Sequence, residues 1–118
     1  MVRSPAMASL SIRLDLDPAV RVGPGKVRLL ELIAEHGSIS AAGRALGMSY
    51  RRAWMLVDEL NRSFAQPVVE GQIGGRHGGG ATVTPFGKRL ISCYRAIERE
   101  AAKAAEEHLS ELQSSTAG

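Results

Sequence analysis

Ser49-Tyr50-Arg51-Arg52-Ala53-Trp54-Met55-Leu56-Val57-Asp58-Glu59-Leu60 is the stretch on which the fold turns. Advancing about 100° per residue gathers Ala53, Val57 and Leu60 on one side of a helix. Arg51, Arg52, Met55, Glu59 and Arg62 fall on the opposite side. The spacing predicts an amphipathic helix running to about Phe64, with the Ser49 hydroxyl as its N-cap. Two adjacent arginines in its first turn face away from the core. Cations there oppose the helix dipole by a few tenths of a kcal/mol, so a purely structural helix gains from acids instead. An arginine fork matches O6 and N7 of guanine, and the first turn of a recognition helix is where side chains meet base edges. Ser49 and Tyr50 are placed to bond a phosphate, aided by the helix N-terminus. Met55 can meet a thymine methyl. The bland alternative for Arg51 and Arg52 is solvation, with an ion pair to Asp58 or Glu59. Trp54 lies on the flank, and two readings stay open for it: packing against helix two or the wing, or contact with the groove edge.

Upstream, Gly47 ends a short helix over Ala41 to Leu46, with Ser38 and Ser40 as hydroxyls at its start. Ser38 and Ser40 join the candidate DNA-contacting residues. Val27, Leu29, Leu30, Ile33 and Ala34 recur at helical spacing after Gly23-Pro24-Gly25, and Gly37 stops that helix. Two short helices joined by about three residues around a glycine form a helix-turn-helix unit. Leu10 to Leu16 alternates apolar and polar residues and predicts one half-buried strand, broken by Asp17-Pro18.

Downstream, Pro67 to Gly71 and Ala81 to Thr84 read as two strands flanking a glycine-rich hairpin tip. The tip lacks the Gly-Lys-Ser/Thr of a nucleotide loop and does not lead from a strand into a helix. As a wing it would carry Arg76 and His77 to the DNA backbone or minor groove; the alternative is a tip that touches nothing. Thr84-Pro85 pairs an N-cap with proline in the first turn, so the last helix starts at Pro85 and runs to about Leu112. Its apolar stripe is Leu90, Tyr94, Ile97, Ala101, Ala104 or Ala105, Leu109 and Leu112. Beyond about residue 97 the stripe exceeds what one small domain covers. A second copy is the simplest partner, and a helix folded back on its own domain is the alternative.

The predicted fold is mainly α: a winged helix-turn-helix with a two-stranded wing and a long C-terminal dimerisation helix. The boundaries are a flexible N-terminus over 1–9, the DNA-binding domain over 10–88, the dimerisation helix over 89–113 and a flexible tail over 114–118.

Composition narrows the class. The 118 residues suit one domain, and a 44% apolar content suits a small core built from aliphatic side chains. From Arg21 to Arg89 there are ten Lys/Arg against five Asp/Glu, and from Leu90 onward three against five. The basic half is therefore the candidate face for a polyanion. No apolar run approaches a membrane span, and Met1 to Ala8 is no secretory signal, so a cytoplasmic bacterial protein is expected. Cys93, the single cysteine, falls near Leu90 and Ile97 and is expected to be buried. His36, His77 and His108 lie on separate elements without metal spacing. No nucleophile, base and acid constellation is visible. Neither an enzyme, a metal nor a cofactor is expected.

Three motif blocks resemble the N-terminal domain of ModE-type molybdate-responsive regulators. They are Gly37-Ser-Ile-Ser-Ala-Ala42, then Leu46-Gly-Met-Ser-Tyr-Arg-Arg-Ala-Trp54 with Glu59-Leu-Asn61, then Gly74-Gly-Arg-His-Gly-Gly-Gly-Ala81 with Thr84-Pro-Phe-Gly-Lys-Arg-Leu90. LysR-type regulators share, more distantly, the Gly-Ser-x-x-x-Ala-Ala start and the Thr-x-x-Gly of the last helix. The resemblance implies a winged helix, sequence-specific regulation of transcription, a recognition helix beginning at Ser49 to Arg52, Arg76 and His77 in the wing, and Thr84 capping the last helix against a phosphate. ModE-type regulators continue into a molybdate-binding domain, whereas this sequence stops at Gly118, so molybdate sensing is not carried over. An unidentified effector or partner protein has a place in that scheme.

The expected function is thus a homodimeric regulator on an inverted repeat of double-stranded DNA. The competing expectations are a nucleoid-type architectural protein of low specificity and an interaction adaptor working through the last helix.

Overall fold

The computed structural model describes residues 8–71 and 80–118. The elements run β1 (Leu14–Leu16), β2 (Val20–Val22), α1 (Pro24–His36), α2 (Ile39–Ala45), α3 (Tyr50–Ser63), β3 (Val69–Gly71), β4 (Ala81–Val83) and α4 (Pro85–Ser114). The architecture is the mainly α winged helix-turn-helix.

The N-terminal strand differs from its expectation. Only Leu14–Leu16 is strand, and it pairs antiparallel with β2, Leu14 opposite Val22 and Leu16 opposite Val20. Asp17-Pro18 is the turn of this hairpin, not the end of a lone strand. Val20-Arg21-Val22 carries the same period-two signal, with both valines buried, in a run too short to stand out.

α1 is the centre of the core. Val27, Leu29, Leu30, Leu32 and Ile33 are all buried, and α2, α3, β4 and α4 pack around them. α2 packs tightly on α3: a Cβ built on Gly43 would sit 3.0 Å from Ala53 Cβ. The turn between these helices passes through Gly47 at φ 70°, a left-handed conformation that disfavours any side chain. The Gly47 N–H donates to Arg44 O at 3.0 Å and the Met48 N–H to Gly43 O at 2.9 Å, which closes the turn.

The base of the wing is the β3–β4 ladder, Val69 opposite Val83 and Gly71 opposite Ala81. It is bound to the end of α1 by Ala81 N–H donating to Gly37 O at 2.9 Å. α4 starts against this base. A Cβ on Gly87 would lie 2.3 Å from Val68 O and 2.7 Å from Val83 Cγ1, so only glycine permits that approach. Phe64, at the end of α3, meets Phe86 with ring centroids 5.3 Å apart.

α4 has 30 residues, about 45 Å of helix. Only Gly87, Leu90 and Tyr94 along it are buried. Tyr94 is 0% exposed, and its hydroxyl donates to Ile12 O at 2.7 Å. Leu90 and Tyr94 therefore belong to the domain's own core and not to a surface stripe, a correction to the sequence reading. Both residues fall where the stripe still faces α1. Cys93 is also corrected: it is exposed, because it lies off the line of Gly87, Leu90 and Tyr94.

Candidate DNA-binding surface

The candidate surface begins where α3 does. Ser49 is the N-cap, its Oγ accepting from Arg52 N–H at 3.1 Å. Ala53, Val57 and Leu60 face the core, as the spacing requires. Tyr50, Arg51, Arg52 and Met55 are exposed on the first turn and a half. The carboxylates that might have neutralised the arginines are engaged elsewhere. Asp58 pairs with Arg62 at 3.0 Å, and Glu59 reaches across to Lys26 of α1 at 3.1 Å. Among the described residues, neither Arg51 nor Arg52 has a carboxylate partner. Two solvated guanidinium groups thus stand side by side with open donors, the charge and geometry that a guanine edge or a phosphate accepts.

Trp54 is 47% exposed, beside exposed Tyr50 one turn earlier and Met55 next to it. Three large apolar side chains consequently flank the arginines on one helix. Of the two readings open to Trp54, packing or the groove edge, its exposure removes full packing.

The serines of α2 are placed differently. Ser38 caps α2, its Oγ accepting from Ala41 N–H at 2.9 Å, and α2 begins at Ile39, two residues earlier than expected. Ser40 accepts from Arg44 Nη1 at 3.0 Å. Both hydroxyls are partly occupied within the helix, and both are half-buried.

Thr84 is corrected. It is 7% exposed, its Oγ1 donates to Pro67 O at 2.7 Å, and the same oxygen accepts from Gly87 N–H at 2.9 Å. The hydroxyl is used at the junction of wing and α4 and has nothing to offer a phosphate. Arg76 and His77 lie outside the described residues.

One residue at this surface has a role that periodicity does not announce. Asn61, on the flank of α3, binds the wing strand by its side chain. Its Oδ1 accepts from Val68 N–H at 2.7 Å and Val69 N–H at 3.2 Å, and its Nδ2 donates to Val69 O at 3.1 Å. It fixes the wing relative to α3. The only signal was a polar residue on the inner flank of an amphipathic helix.

Along α4, Ala101 and Leu109 are half-buried, while Ile97 is 41% and Leu112 66% exposed. Ala8, Ser9 and Leu10 of the N-terminal segment and Ala102 and Leu109 of α4 line one open pocket.

Comparison with known proteins agrees with this geometry. The model of the bacterial regulatory helix-turn-helix protein, lysR family, matches residues 25–88. The molybdenum-pterin-binding protein MopA of Rhodobacter capsulatus is 45% identical over 104 residues, 88% of this chain and 38% of MopA. The DNA-binding transcriptional dual regulator ModE of Escherichia coli K12 is 36% identical over 97 residues, 82% of this chain and 37% of ModE. The chain thus spans little more than a third of the length of these relatives. Among solved structures, the CbnR DNA-binding domain in its DNA complex superposes with a TM-score of 0.58 at 18% identity, over 75% of this chain and 95% of that one. The chain belongs to the lysR family of bacterial regulatory helix-turn-helix proteins, as a winged DNA-binding domain related to the ModE and Mop proteins.

Proposed function

We propose that the protein regulates transcription as a homodimer that reads an inverted repeat in double-stranded DNA, in the cytoplasm and without catalysis. The carrying observation is the pair Arg51 and Arg52, exposed on the first turn of α3 while Asp58 and Glu59 are paired with other cations. In this reading α3 enters the major groove, Arg51 and Arg52 bond base edges, and Tyr50 and Ser49 touch the flanking backbone. Ser38, Ser40 and Met55 border the same surface, and the reading assigns DNA contacts also to Arg76 and His77, which lie outside the described residues. The second copy associates along α4 through Ile97, Ala101, Leu109 and Leu112. Those residues continue the line of Leu90 and Tyr94 after the domain's own core has ended. The helix-turn-helix match over residues 25–88 supports DNA reading and carries no molybdate-sensing role with it.

Arg51→Ala or Arg52→Ala is expected to cost about 1–3 kcal/mol on the selected site and to relax base preference at one position in each half-site. Titration of the selected duplex and of random duplex at one salt concentration measures it. Equal losses on both duplexes would reduce the arginines to phosphate contacts and contradict direct reading.

A further inference from the structure

Arg95 stands where α4 leaves the domain, one residue after Tyr94, the last buried position of the helix. Its guanidinium forks onto Glu31 of α1, Nε to Oε2 at 3.0 Å and Nη2 to Oε1 at 2.8 Å. The third nitrogen, Nη1, donates to Glu98 Oε1 at 2.7 Å. Arg28 adds a longer contact to Glu31, at 3.4 Å. The Arg95 and Glu31 side chains are 29% and 26% exposed, so water screens the pair only in part. Glu31 is held below the ordinary carboxylate range by hydrogen bonding to Arg95, against a smaller opposing effect of burial.

We infer that the Arg95–Glu31 fork is a positioning device that fixes the angle at which α4 leaves the reading head, and so the spacing between half-sites that the dimer accepts. The inference rests on the two-fold reading above. α4 is fixed at its root by the Thr84 cap and the close approach of Gly87 to Val68. The fork is a second fixed point, about 15 Å further along the helix. Burial of Leu90 and Tyr94 holds α4 onto the domain, but apolar packing is not directional, and the Tyr94 hydroxyl ties α4 to Ile12 O of the N-terminal segment, not to α1. A bidentate guanidinium–carboxylate pair is directional, and it ties α4 to the helix at the centre of the core. The leverage is large. From Ile97 to Ser114 the helix extends about 25 Å, so a tilt of about 10° displaces its end by about 4–5 Å, more than one base-pair step of about 3.4 Å.

The test uses the full chain and duplexes carrying two selected half-sites at graded separations, with a single half-site duplex as the control for folding and reading. Glu31→Gln and Arg95→Met remove the fork from either side. Arg28→Ala removes a neighbouring charge and leaves the fork. Wild type and Arg28→Ala are expected to favour one separation by about tenfold over one base pair more or fewer, and the two fork variants by less than about threefold. Single half-site affinity is expected to stay within about twofold of wild type in every variant. A wild-type spacing profile in both fork variants would overturn the inference and leave the two-fold reading standing. So would loss of single half-site binding in proportion to loss on the full site, since that marks a general structural role. A wild-type protein with no preferred separation would overturn the two-fold reading itself, and this inference with it.

Discussion

Lys26 has an influence on the reading helix that its place on α1 does not advertise. By taking Glu59 at 3.1 Å it removes the acid that would otherwise face the arginines, while Arg62 removes Asp58. The first turn of α3 therefore offers uncompensated positive charge. Trp54 extends the same surface with an apolar edge, and it is the single tryptophan of the chain. Its emission is expected to shift when the selected duplex binds, and Trp54→Ala is expected to weaken binding by about 1 kcal/mol through lost contact with thymine methyl groups or sugar edges. An unchanged emission spectrum at saturating DNA would show that the indole remains in water and takes no part. The residues of α3 were legible because one helical period sorts them. Thr84 was not. Its type and position announce an N-cap, but nothing in the sequence tells that Pro67 O stands 2.7 Å from the hydroxyl and uses its proton. Cys93 and Tyr94 were misassigned for a related reason. Neighbours on a helix differ by about 100°, and the sequence alone does not fix where the core ends along α4.

Among the elements, the junction of α3 with the wing has the sharpest consequence. Three hydrogen bonds from Asn61 join them, two of which satisfy the N–H groups of buried Val68 and Val69. Asn61→Ala leaves those donors without the partner they have now. It is expected to destabilise the fold by about 2–3 kcal/mol in urea unfolding and to speed amide exchange in β3 and β4 ahead of α1. An unaltered unfolding midpoint with unaltered exchange would show that the wing is held by its ladder and α4 alone. The helices and the wing were readable from caps, glycine stops and periodicity. β2 is not legible because three residues give too short an alternation, and because the alternation around its partner strand extends beyond the three residues that pair. Its register with β1 depends on pairing across the Asp17-Pro18 turn, information that lies between segments and not within either.

For the whole molecule, the decisive feature is the long helix that outruns its own core. α4 buries nothing beyond Tyr94, yet carries apolar residues to Leu112. An open pocket lies between the N-terminal segment and Ala102 and Leu109, and Ile97 and Leu112 are exposed. A second copy placed there would set two α3 helices on one side of a duplex, and the Arg95–Glu31 fork would fix their separation. The family match and the winged fold bring the chain to DNA, and the claim added to them is specific reading by a two-fold pair. Selection of bound sequences from a random DNA pool by the full chain is the most direct measurement of that claim. The two-fold reader predicts an enriched inverted repeat with half-site centres about 10–10.5 base pairs, or a multiple of that, apart. Enrichment of base composition alone, with no repeated element, would contradict it and leave a general DNA-coating protein in its place.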